Sequence, residues 1–108
     1  MKIDVLGTEW KIEFRQRKHM PEGMDGYCDR TIKTICIVKN DKSSGFGNYK
    51  EYRKATIRHE IIHAFLIESG LDSNWQHAEQ FGHDETMVDW FAMQFTKLYK
   101  AFEQAGAI

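Results

Sequence analysis

The chain has 108 residues, room for one domain around one modest core. Hydrophobic residues make up 42% and aromatics 13%, which excludes a disordered tail. The net charge of −1, with acids and bases interspersed, argues against a dedicated nucleic-acid binder, and no apolar run reaches the length of a membrane span.

From the N-terminus, Ile3 and Val5 alternate with polar residues, "LGTE" makes a turn, and Trp10, Ile12 and Phe14 alternate again. This predicts a β-hairpin with one buried face. The same stretch lacks a continuous apolar core, so it does not read as a signal peptide. "KHMPEGMDG" holds the only proline and two glycines and reads as a loop. "RTIKTICIVK", with Ile32 and a β-branched run through Val38, predicts a further strand. "NDKSSGFGN" is a second loop.

From Tyr49 the periodicity becomes helical. Ile57, Ile61 and Phe65 form one stripe, widened by Ile62 and Leu66, on a helix apolar around much of its girth, and Gly70 ends it near Ser69. After the connection "LDSNWQHAEQFGH", a second helix starts near Asp84, with the stripe Val88, Phe91, Phe95, Leu98 and Phe102 facing the core. Trp75 and Trp90 read as core aromatics. Strands come first and two long helices follow, so the expected fold is α+β, a single domain over 1–108 with an N-terminal antiparallel sheet.

Cys28 and Cys36 fit reduced thiols in a cytoplasmic protein. Placed in one extended strand they would stand roughly 26 Å apart, beyond disulfide reach. The short basic run Lys50, Arg53, Lys54 and Arg58 reads as a solvated helix face.

The residues that carry chemistry are in "RHEIIHAF", 58 to 65. His59 and His63 are four apart, so on a helix their imidazoles share a face and can point at one centre, as tetrahedral zinc requires. Glu60 is displaced by roughly 100° around the helix. It cannot join the two imidazoles as a ligand, but it can reach a metal-bound water as general base. Zinc would lower the pKa of that water towards about 7 for attack on a polarised carbonyl.

Two imidazoles need a third ligand. The pattern H-E-x-x-H-x-x-G-x-x-H fails, because Leu66 and Ser69 stand where glycine and histidine are needed. The candidates are His77, His83, Asp84, Glu85 and Asp89. Glu85 and Asp89, four apart, share a face of the second helix. One could bind zinc while the other accepts the free ring N–H of a ligand histidine.

"HEIIHAF" followed by "DETMVDWFAMQF" resembles the small phage- and prophage-type metallopeptidase-like proteins of the gluzincin group. The spacing of Glu85 and Asp89 is also similar to the E-x-x-x-D arrangement of thermolysin-like enzymes. This resemblance, strong from about Ile57 to Phe95, implies a zincin-like fold, one zinc per chain and a bacterial cytoplasm as the setting. It implies Glu85 as third ligand, Asp89 as support for a ligand histidine and Glu60 as catalytic base. "GYCD" and "KTICIV" resemble, more weakly, the zincin strand whose edge pairs with an extended substrate peptide. "HAEQF" is similar instead to SprT-like peptidases, which would make His77 the third ligand, and His83 is a candidate oxyanion stabiliser. The expected activity is zinc-dependent peptide hydrolysis on a protein or peptide substrate. The rival expectation is a non-catalytic zinc-binding interaction module. Neither partner identity nor oligomeric state is legible.

Overall fold

Leu6 and Gly7 begin the fold by both taking positive φ, 53° and 92°. A two-residue turn with this backbone matches the right-handed twist of paired strands. It joins β1 (Lys2–Val5) to β2 (Thr8–Arg15) as an antiparallel hairpin. The alternation works as expected: Ile3, Val5, Trp10 and Ile12 are buried on one face. The computed structural model describes residues 1–39, 45–72 and 85–108, without the side chains of Glu85, Thr86, Val88, Asp89 and Ala92.

After a 3₁₀ turn at Arg17–His19 come β3 (Gly26–Asp29) and β4 (Thr34–Val38), an antiparallel pair. The sheet order is β1-β2-β4-β3, and β2 runs parallel to β4. The sheet is therefore mixed, which corrects the expected antiparallel one. The physical reason lies in β4, whose five residues are all buried. A strand apolar on both faces belongs in the interior of a sheet, so it inserts between β2 and β3, leaving β3 at the edge.

Two further expectations change with it. The strand begins at Thr34, not Arg30: residues 30–33 make the turn from β3, where Lys33 has φ 51° and Ile32 is exposed. Cys28 and Cys36 consequently lie in neighbouring strands, with Cys28 opposite Ile35 and Tyr27 opposite Cys36. Strand alternation sends the two thiols to opposite faces, and both are free. Cys36 joins Met20 and Val38 in a small second cluster.

α1 (Tyr49–Ser69) and α2 (Glu85–Gln104) complete an α+β fold. Asn48 caps α1, its side-chain oxygen accepting from the Glu51 N–H at 3.2 Å, and Gly70 closes it with φ 82°. The buried residues of α1 are Ile57, Glu60, Ile61, Ala64 and Phe65, a single face rather than most of the girth. That face packs with Trp10, Ile35 and Ile37 in the main core, and Ile62 is partly buried against it.

α2 corrects its predicted stripe. Leu98 is buried and Phe102 half-buried, but Phe91 and Phe95 are exposed, and Val88 lies outside the described side chains. The helix instead buries Ala101, with the buried Ala105 and Ala107 just beyond its end. Small side chains let its C-terminal half come close to the core, and this rotation carries Phe95 away from it. Trp90 is partly buried against the core and meets Phe91 edge-to-face at 5.0 Å.

The basic run on α1 is not simply solvated. Arg58 donates to the Ala107 carbonyl at 2.7 Å, and Arg53 lies over the Phe14 ring at 5.4 Å. Long cationic side chains can cover apolar surface while their heads find polar partners. Among the described residues, no helix is long and apolar enough to cross a membrane.

Candidate metal centre

The i, i+4 spacing on α1 brings His59 and His63 together. Their Nε2 atoms lie 3.1 Å apart, with ring centroids separated by 4.7 Å and the planes at 71°. Two nitrogens bound to one tetrahedral zinc would be separated by about 3.3 Å, so the pair fits the ion with little adjustment. Without metal, the same separation lets one imidazole N–H donate to the other ring. Both side chains are exposed, which leaves the converging nitrogens accessible.

Glu60 faces the other way round the helix and is 6% exposed, the one buried charged residue among those described. Its carboxylate lies between the helix and β3. Oε1 is 4.0 Å from His59 Nε2, and Oε2 is 3.4 Å from Cys28 Sγ. A buried carboxylate needs partners, and this one sits within reach of the histidine pair.

Two clefts meet at Glu60. One, of about 450 Å³, runs past Asp25, Tyr52, Thr56 and His59. The other, of about 290 Å³, runs past Cys28, Arg30, His63 and Asp72. Met24, Gly26 and Glu60 line both, so the clefts follow β3, which is the edge strand, along its length.

No family model, curated protein or solved structure matches the chain.

The chemistry of this site therefore rests on its own residues. His59, Glu60 and His63 come together as their spacing predicts. His77, His83 and Asp84 lie outside the described residues, as do the side chains of Glu85 and Asp89, and so does Trp75. Among the described residues, no third His, Cys, Asp or Glu joins the two imidazoles. The backbone of α2 begins at Glu85.

Three residues that line the clefts escape the sequence reading. Gly26 belongs to the stretch read as a loop and Cys28 is read only as a reduced thiol, yet both stand on the face of β3 that meets α1. A Cβ on Gly26 would lie 3.0 Å from Glu60 Cγ and 3.1 Å from Thr56 Cγ2. The available signal was the period of two in "GYCD", with glycine where another backbone approaches. The third is Asp25, which accepts from the Tyr52 hydroxyl and pairs with Arg17. The Tyr52 hydrogen bond, helped by Arg17, holds the Asp25 carboxyl below the usual carboxylate range. The Cys28 thiol is pushed far up, first by burial and then by the negative charge of Glu60, so it stays protonated at neutral pH.

Proposed function

We propose that this protein is a zinc-dependent peptidase of minimal zincin-like architecture, hydrolysing a peptide bond held along the outer edge of β3. The observation that carries the reading is the convergence of the His59 and His63 Nε2 atoms at 3.1 Å, with the buried Glu60 carboxylate beside them.

Zinc, when bound, makes a coordinated water acidic enough to lose its proton near neutral pH and polarises a carbonyl oxygen. His59 and His63 supply two neutral imidazole nitrogens. Glu85, from the first turn of α2, is the proposed third ligand, with His77 as its alternative. Asp89 accepts the second ring N–H of a ligand histidine and so sets its tautomer. Glu60 accepts a proton from water at its carboxylate and delivers it to the leaving amine nitrogen. The edge of β3 offers backbone groups to an extended substrate, and the two clefts receive side chains on either side of the cleaved bond. His83 is the candidate group for a developing oxyanion. A phage or prophage protein acting in a bacterial cytoplasm on a protein or peptide substrate fits this reading.

The test is zinc content by plasma mass spectrometry on wild type, Glu85→Ala and His77→Ala, each after metal reconstitution. One zinc per chain, lost in Glu85→Ala and kept in His77→Ala, supports the gluzincin assignment. Loss with His77→Ala instead transfers the third ligand to the connection. A wild type that holds no zinc overturns the reading.

A further inference from the structure

Resting on the peptidase reading, we infer that Cys28 is a positioning residue: its thiol, with the space left by Gly26, holds one oxygen of Glu60 so that the other faces the histidine pair. The two carboxylate oxygens have different surroundings. Oε2 is 3.4 Å from Cys28 Sγ, whereas Oε1 is turned towards His59 Nε2 at 4.0 Å. Cys28 Sγ is also 3.2 Å from the Glu60 carbonyl, but that oxygen lies within α1, where it has a helical N–H to accept. The thiol has a single hydrogen, and the carboxylate is the acceptor with the greater need of it. Among the described residues, the thiol is the hydrogen-bond donor that reaches this carboxylate.

Gly26 shapes the other side of the seat. It is two residues before Cys28 on the same face of β3, and a methyl there would crowd Glu60 Cγ, Thr56 Cγ2 and Ile37 Cδ1 at 3.0 to 3.2 Å. The backbone at Gly26 has no positive φ, so substitution there tests space and not conformation. A general base contributes only when its oxygen stands within hydrogen-bond reach of the proton it takes. A neutral donor suits this task, because it orients the carboxylate without neutralising it as a lysine or arginine would.

The experiment has two readouts. Infrared spectroscopy follows the S–H stretching band of Cys28 in the purified protein, assigned by its loss in Cys28→Ser. In Glu60→Ala the band should move to higher frequency as the carboxylate acceptor is removed; an unmoved band overturns the inference. The second readout uses unfolded casein as probe substrate for the zinc-reconstituted enzyme. Cys28→Ala should lower kcat roughly tenfold with KM and zinc content unchanged, and Cys28→Ser, which keeps a donor, should recover most of it. Equal losses in both variants would mean packing and not positioning, and would overturn the role. Should zinc-loaded wild type leave casein intact, the peptidase reading fails on its own, and the infrared band still decides the Cys28–Glu60 contact.

Discussion

Glu60 and Glu68 stand two turns apart on α1, and both turn towards the sheet, but their surroundings differ completely. Glu68 accepts from the indole N–H of the fully buried Trp10 at 2.9 Å and from the Thr8 hydroxyl at 3.3 Å, and it pairs with Lys33 at 2.8 Å. Lys33 also lies over the Trp10 ring, 5.6 Å from its centroid. Every charge and donor in that group has a partner. Glu60 is more deeply buried and has a thiol 3.4 Å away, with a histidine at 4.0 Å. A carboxylate surrounded by strong donors is fixed and structural. One kept out of water, with a weak donor on one oxygen, leaves its other oxygen turned towards the histidine pair, and an oxygen within reach of the proton is what a general base requires. The same residue type on the same helix thus meets two different surroundings, decided by what β2 and the β3–β4 turn bring to one end and β3 to the middle.

The sharpest way to break this contrast is to make the same substitution at each glutamate. Glu60→Gln should lower casein hydrolysis by at least about a hundredfold while zinc content stays at one per chain. Its urea midpoint should stay at or above the wild-type value, because a buried charge is removed. A variant that loses stability and keeps its turnover would reverse the roles assigned to the two residues.

Glu68→Ala should do the opposite. It leaves the Trp10 N–H without its acceptor in the core and Lys33 without its partner, a loss of roughly 2 kcal/mol in unfolding free energy by urea titration. Zinc binding and turnover per folded molecule should be unchanged. Within the larger cleft, Tyr52→Phe provides an intermediate case, since Asp25 would keep Arg17 but lose the tyrosine hydroxyl. The expected cost is about 1 kcal/mol, with the Asp25 carboxyl titrating at higher pH by NMR.

The smallest effect is in pH dependence. The Lys33 hydrogen bond, followed by those from Trp10 and Thr8, holds the folded Glu68 carboxyl below its ordinary value of 4.5. A folded pKa below the unfolded one means that this stabilisation is fully present above about pH 4.5 and fades as pH falls through the folded value. The stability gap between wild type and Glu68→Gln should therefore be constant near neutrality and close below pH 4.5. A gap that persisted to lower pH would show that the contacts of Glu68 do not depend on its charge.

Much of this molecule was legible in its one-dimensional pattern. The turn at Leu6-Gly7, the stop at Gly70 and the convergence of His59 with His63 all depend on residues within a few positions of one another. The predicted α2 stripe differs from the observed one where it depends on a partner: Phe91 and Phe95 have the right spacing, but Leu98 and Ala101 allow the closer approach, and helix rotation follows the closest packing. The basic residues of α1 were misjudged for a similar reason. Nothing local to Arg58 indicates that the Ala107 carbonyl will stand 2.7 Å away.

The sequence by itself determined the opening hairpin and the two helices after the strands, and placed His59, Glu60 and His63 on one helix, because 3.6-residue and two-residue periods are written in neighbouring positions. Tertiary structure alone decided that β4 enters the sheet parallel to β2, which moves β3 to the edge and its Gly26–Cys28 face against Glu60. Strand order is a competition among distant segments for burial on two faces, and β4 wins the interior because it is apolar on both. The surroundings of Glu60 follow from that competition, since Cys28 lies 32 residues away along the chain.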